Sequence, residues 1–151
     1  MMKKRVPVLE GIVQAFVALG ALPCGALLMI YPNGTVLSMP LSMLKGSPFA
    51  TFFWPGLILF SVIGIGHTAA AVISFRRHRF AGLAGAVMGL GLMIWIFVQA
   101  SMIGGGHWLQ YLYFALGTAE VSLAVLLLGY PRATVDKRGD VAKKLNSGEC
   151  Q

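Results

Sequence analysis

Four long apolar runs dominate this sequence and restrict what it can fold into. They cover approximately residues 8–30, 54–75, 80–103 and 109–130, and none of them contains lysine or arginine. A helix of about 20 residues crosses the hydrocarbon core of a bilayer, so each run is long enough to span a membrane. Because strands are much shorter than these runs, their length predicts helices.

The composition supports lipid as the solvent for most of the chain. Hydrophobic residues make up 57% of it and charged residues only 11%, whereas a soluble domain is about 25% charged. The 19 glycines suit membrane helices that pack closely. We therefore predict an all-α polytopic membrane protein. An antiparallel four-helix bundle over residues 1–130 would be followed by a basic, disordered tail at 131–151.

The connections between the predicted helices differ in length and polarity. Residues 76–79 and 104–108 form short turns, so the last three helices alternate in direction. The segment between the first two helices, residues 31–53, is long and almost uncharged, and we expect it to lie in the interface or to cap the bundle. Ser47 followed by Pro48 is typical of a helix start. Such a start would begin the second helix early and make Pro55 a kink near its outer end.

The distribution of positive charge predicts the orientation in the membrane. Of the 12 lysines and arginines, all but Lys45 lie before the first run, between the second and third, or after the fourth. The positive-inside rule places these three segments, and hence both termini, in the cytoplasm. Aromatic residues gather at the opposite boundary: Tyr31, Phe52, Phe53, Trp54, Trp108 and Tyr111. Basic residues near the membrane also predict an attraction for anionic lipid headgroups.

Several strings between Leu37 and Glu120 resemble a known group of proteins. They read MPLSMLKGSPF, then PGLILF, GLMIWIFVQASMIG and WLQYLYFALG. With these strings the chain resembles a widespread family of small four-helix bacterial inner-membrane proteins of uncharacterised function. The resemblance implies the bacterial cytoplasmic membrane as location, and it implies no activity, cofactor or functional residue.

A few polar residues interrupt the apolar runs at similar depths. Glu120 lies about ten residues, or roughly 15 Å, from the cytoplasmic end of the fourth helix, and His67 roughly 12 Å from that end of the second. Gln14 lies at a similar depth on the first helix, and Glu10 is one turn closer to the cytoplasm. Each shares its helix face with small residues, which lets helices approach closely. We therefore predict an intramembrane polar cluster of these four residues.

This cluster has two interpretations. In one, His67 and Glu120 form an interhelical hydrogen bond that only fixes packing. In the other, they form a protonatable site that binds a ligand or relays a proton, because ionisable residues within membranes are often functional. Burial disfavours the charged form of both groups. The sequence leaves both interpretations open.

Secondary candidates lie elsewhere in the runs. Gln99 and Trp95, one turn apart in the outer half of the third helix, favour interhelical packing, and Tyr113 shares a face with Glu120. The three histidines lie at different depths, so we expect no haem and no other cofactor. Gly85 and Gly89 form a GxxxG pattern that predicts close helix packing.

Three functional hypotheses follow from these residues. The first is a non-enzymatic accessory or interaction protein, alone or as a homo-oligomer, with a membrane protein as partner and no nucleic acid. The second is a small transporter or ligand-binding membrane protein that uses Glu120 and His67. An enzyme ranks last because no nucleophile or metal-ligand set accompanies these residues.

Overall fold

The computed structural model consists of four long helices and describes residues 2–129. At residues 2–4 and at Ile103 it describes the backbone only. Their bounds are α1 Met2–Ile30, α2 Phe53–Phe75, α3 Ala81–Ile103 and α4 Trp108–Gly129. Each is long and apolar enough to cross a membrane. The predicted all-helical, four-span fold is therefore confirmed. The tail predicted at 131–151 lies outside the described residues.

The first helix begins before its apolar run does. We predicted a start near Val8, whereas α1 extends back to Met2. An apolar run measures only the part of a helix that lies in hydrocarbon, and polar residues can continue the same helix into the interface. The predicted bounds therefore describe the apolar part of α1 and not the whole helix.

The second helix differs from the prediction at its start. Ser47 does not open it; its hydroxyl oxygen instead accepts a hydrogen bond of 3.3 Å from the Phe49 amide in a local turn. The helix begins at Phe53, so Pro55 lies in the first turn. Proline is tolerated there because its missing N–H would have no acceptor within the helix. The main irregularity of α2 lies further on, in a π-helical segment at Leu59–Ile65.

The helices form two closely packed pairs, α1 with α2 and α3 with α4. Gly25 and Gly56 allow the first approach, since a methyl group on Gly25 would lie 2.7 Å from the Phe60 amide nitrogen. Gly89 and Gly117 allow the second, since a methyl group on Gly89 would lie 2.8 Å from the Gly117 carbonyl oxygen. The GxxxG pattern therefore serves packing within the bundle.

The two ends of the bundle differ. At the basic end, a turn with Arg76, Arg77 and Arg79 joins α2 to α3. At the loop end, residues 31–52 carry two short 3-10 helices, Thr35–Leu37 and Leu41–Leu44, and fold back onto the helices. Leu44 and Phe52 are buried against Leu28 of α1. The apolar segment between α1 and α2 therefore caps the bundle at the loop end.

The outer surface of the helices is apolar. Large side chains such as Leu19 and Phe97 are 74% and 71% exposed. Surface of this kind is stable against lipid rather than water, and with four spans it marks a multi-pass membrane protein.

Candidate functional site

Five polar side chains with no exposed surface lie in the half of the bundle nearer the basic end. They are Glu10 and Gln14 of α1, His67 and Ser74 of α2, and Glu120 of α4. We call these five residues the polar cluster. Four of them are the predicted cluster residues, and Ser74 is an addition.

His67 and Glu120 face each other between α2 and α4. The His67 Nε2 and Glu120 Oε2 atoms are 3.3 Å apart. They are close, but they are not aligned as in a well-formed hydrogen bond. The contact joins α2 of one packed pair to α4 of the other, so it connects the two pairs of helices.

The other ring nitrogen of His67 determines where its hydrogen lies. Nδ1 is 2.7 Å from the Ile63 carbonyl oxygen, and because a carbonyl can only accept, Nδ1 must carry a hydrogen. Nε2 of the neutral ring then presents a lone pair to Glu120. Two lone-pair atoms 3.3 Å apart would repel each other in a low-dielectric interior. One proton on either Nε2 or Oε2 makes the contact attractive and leaves the pair without net charge.

The irregular backbone of α2 supports this orientation of His67. The π-helical segment Leu59–Ile65 ends one residue before Gly66, and the Ile63 carbonyl accepts from the Gly66 amide as well as from His67. Gly64 lets Leu22 of α1 approach closely; a methyl group there would lie 2.6 Å from a Leu22 methyl carbon. Short π segments inside α-helices occur frequently at functional sites.

A second set of hydrogen bonds links α1 to α2. The Ser74 hydroxyl donates to Gln14 Oε1 at 2.9 Å, and Gln14 Nε2 donates to Glu10 Oε1 at 3.3 Å. Ser74 lies in the last turn of α2, next to the basic turn. The network therefore runs from the basic end to the Glu10 carboxyl group.

Glu10 also lies against α3 and near α4. A methyl group on Gly85 would collide with Glu10 Oε1, so glycine at this position makes room for the carboxyl group. The same methyl group would lie 3.3 Å from the Ala124 side chain of α4, one turn beyond Glu120. Small residues on α3 and α4 therefore let a carboxyl group from α1 enter the bundle.

Three carboxyl oxygens of the polar cluster are buried without a hydrogen-bond partner in the described part of the chain. They are Glu10 Oε2 and both oxygens of Glu120, of which Oε2 faces His67 Nε2. Buried polar atoms are nearly always paired, and each exception requires a physical reason. A proton on one of these oxygens would convert it from an acceptor into a donor.

The secondary candidates do not belong to this cluster. Gln99 and Trp95 line a cavity of about 40 Å³ at the loop end, together with Leu28, Leu44 and Phe52. The Tyr113 hydroxyl contacts Gly20 of α1, and its ring packs on the apolar core around Val17 and Leu92. All three thus lie nearer the loop end than the polar cluster.

The remaining histidines lie at the two ends of the bundle. His78 is part of the basic turn, with its ring 5.3 Å from that of Phe80, and His107 stacks on Trp108 at the loop end. Within residues 2–129, no three histidine, cysteine or acidic side chains lie close enough together to hold a metal ion.

Gln110 has a structural role that was not predicted from the sequence. It is buried, and its Oε1 accepts from the Gly106 and His107 amides at 3.1 and 3.3 Å. Its Nε2 donates to the Gly104 carbonyl at 3.2 Å. A glutamine at the third position of a helix that reaches back to the N-cap amide forms half of a capping box. That spacing after His107 was the signal in the sequence.

The comparisons with known proteins identify no relative: no protein-family model, curated protein or solved structure matches this chain. The resemblance to small bacterial inner-membrane proteins therefore stays a prediction.

Proposed function

We propose that this protein is a small, non-enzymatic transporter or ligand-binding protein of the bacterial cytoplasmic membrane that works by gaining and losing a proton at His67 and Glu120. One observation carries the proposal. Nε2 of a histidine whose Nδ1 is already a donor lies 3.3 Å from a carboxyl oxygen, and both side chains are fully buried. Such a pair needs one proton and can hold it on either partner.

A role limited to packing accounts less well for the polar cluster. A hydrogen bond that only fixes helix packing needs one donor and one acceptor, and leaving further polar atoms unpaired costs stability. Here three ionisable residues lie within one buried site, and three carboxyl oxygens have no hydrogen-bond partner in the described residues. Ionisable groups inside a membrane are expensive and usually serve a function.

The placement of charge supports the proposed orientation. The exposed arginines of the 76–79 turn lie at the same end as the start of α1, and the positive-inside rule puts this end in the cytoplasm. There they would contact anionic lipid headgroups, at about 1 kcal/mol for each basic residue near the surface. The polar cluster then lies in the cytoplasmic half of the membrane.

A second candidate is an accessory protein that docks other membrane helices through α4. Only 17% of the hydrophobic window of α4 is buried, compared with 33% for each of the other three helices. Its exposed face carries the hydroxyls of Thr118 and Ser122, which donate to carbonyls of their own helix. Small and weakly polar faces of this kind suit association with a second helix, including one of another copy.

Infrared difference spectroscopy of the protein in lipid nanodiscs tests the proton site directly. A protonated carboxyl group has a C=O band that a carboxylate lacks, so changing the pH should change this band in the wild type. One pH-dependent band should change in His67→Gln, and the same band should disappear in Glu120→Gln. Gln99→Leu, which replaces an amide outside the polar cluster, is the matched control and should leave the band unchanged.

Two results would contradict the proposal. One is the absence of any pH-dependent carboxyl band in the folded wild-type protein. The other is a pH-dependent carboxyl band spectrum that is unchanged in Glu120→Gln.

For the second candidate, crosslinking between cysteines introduced at Thr118 should trap dimers or complexes in native membranes, and monomers alone would count against it.

A further inference from the structure

The geometry points to Glu10 as a second proton-binding residue of the polar cluster, on the side of the cluster nearer the basic end of the bundle. This inference rests on the proposed function, since it adds a second carboxyl group to the proton site formed by His67 and Glu120.

The contacts of Glu10 indicate which of its oxygens carries the proton. Oε1 accepts a hydrogen bond from Gln14, as the carbonyl oxygen of a neutral carboxyl group would, so the hydroxyl is on Oε2. In the described part of the chain no cation lies within 4.0 Å of the carboxyl group. A fully buried carboxylate without a cation is strongly unfavourable, which supports a neutral, protonated Glu10.

Few other titratable residues surround Glu10. Among the helices packed around it, α2 contributes His67 and α4 contributes Glu120, while α3 has no titratable residue. Tyr113 and Cys24 lie towards the loop end, and Arg5, Arg76, Arg77 and Arg79 are exposed at the basic end. Glu10 Oε1 and the Ala124 side chain, one turn from Glu120 on α4, both lie beside Gly85. Glu10 is therefore a neighbour of Glu120 in the polar cluster, and its own Oε2 is free to hold a hydrogen.

The proposed step is loss or gain of this proton. When the O–H bond at Glu10 Oε2 breaks, the proton passes to water, and the negative charge stays on the Glu10 carboxyl group. The Gln14 side chain, which donates to Oε1, stabilises that charge.

Two residues orient Glu10 for this step without taking the proton. The Ser74 hydroxyl donates to the Gln14 amide oxygen, and the Gln14 amide nitrogen donates to the Glu10 carboxyl group. Both hydrogen bonds therefore run in the direction of Glu10. Ser74 lies two residues before Arg76, at the start of the basic turn. Gln14 and Ser74 are thus positioning residues between the basic end and the carboxyl group.

The same infrared titration separates Glu10 from Glu120. Wild-type protein should show two pH-dependent carboxyl bands, of which Glu10→Gln removes one and Glu120→Gln the other. Gln14→Leu should move the Glu10 band to higher frequency, because the C=O group loses its hydrogen-bond donor, and should leave the Glu120 band in place. A helical circular dichroism spectrum and a single size-exclusion peak would confirm that each variant is folded.

A pair of glycine variants adds a control that keeps every titratable residue. Gly85→Ala places a methyl group where the Glu10 carboxyl group lies and should change the Glu10 band. In Gly82→Ala, one turn away on α3, the nearest neighbours of the new methyl group are the side chains of Leu127 and Leu128, so this variant should change neither band. If Glu10→Gln or Gln14→Leu leaves both bands of the folded protein intact, the inference is wrong, while the proposed function stands as long as Glu120→Gln removes a band.

Discussion

The kind of contact that holds the helices together differs between the two halves of the bundle, one nearer the basic end and one nearer the loop end. Near the basic end, small residues of α3 and α4 bring backbones close and make room for five polar side chains. Near the loop end, large apolar side chains such as Leu44 and Phe52 fill the space between the helices and the capping segment. One bundle therefore contains a polar half and an apolar half.

The difference shows what each half can specify. Lipid tails are as apolar as leucine, so apolar packing gives membrane helices little preference for one partner over another. A buried polar group has few acceptable partners, so the contacts of His67 with Glu120 and of Gln14 with Ser74 determine which helices meet and in which register. Substitutions in the polar half should thus lower the stability of the protein more than its small number of polar contacts suggests.

The largest loss of stability is expected when one residue of the buried His67–Glu120 pair is removed and the other remains without its partner. Glu120→Ala removes the group that faces His67 Nε2, and breaking a buried pair from one side costs roughly 3–5 kcal/mol. The free energy of unfolding, measured by SDS titration in mixed micelles, should fall by about this amount.

The double variant His67→Leu with Glu120→Leu makes this prediction sharper. It leaves neither partner of this pair behind without the other, so it should regain much of the lost stability while lacking the pH-dependent carboxyl band of Glu120. If the single and double variants are equally unstable, the pair is not what links α2 to α4.

A smaller effect is expected in the apolar half. Leu44→Ala truncates a buried side chain of the capping segment, at a cost of about 2 kcal/mol, near the low end for such changes because the segment can close into the space. The same SDS titration measures this loss. The carboxyl bands of the polar cluster should not change, and a shift in them would show that the two halves are coupled.

The smallest effect is expected at the α3–α4 turn. Gln110→Leu removes hydrogen bonds to the Gly104 carbonyl and to the Gly106 and His107 amides, and a hydrogen bond of this kind contributes about 1 kcal/mol. Gln110→Glu, which keeps the acceptor for both amides, should lose less. Thermal unfolding in detergent would rank the two variants, and equal melting temperatures would argue against the capping role.

Much of the fold could be predicted from the sequence because a bilayer imposes a length on every helix that crosses it. The four spans follow from apolar runs without lysine or arginine. The segment at residues 31–53, whose only charge is Lys45, was expected to lie in the interface or to cap the bundle, and the structure shows the cap. The start of α2 could not be predicted in this way. Ser47 and Pro48 have the residue types of a helix start, but the Ser47 hydroxyl accepts from Phe49 instead.

The candidate site was predictable in part for the same reason. Depth along each helix indicated that His67, Glu120, Glu10 and Gln14 could lie at one level, and the structure places all four in one buried cluster. Depth does not determine which atoms face each other. The π-helical segment that supports His67, the partnership of Ser74 with Gln14 and the space beside Gly85 depend on how helices rotate against one another, and no spacing in the sequence records that.

The most direct test is to determine which nitrogen of His67 carries hydrogen, by ¹⁵N solid-state NMR of histidine-labelled protein in lipid bilayers. The His67 signals are identified by their loss in His67→Gln. We expect Nδ1 to keep its hydrogen at every pH and the Nε2 signal to change in Glu120→Gln. A neutral ring with hydrogen on Nε2 and a bare Nδ1, or an Nε2 signal unaffected by Glu120→Gln, would contradict a proton held between His67 and Glu120.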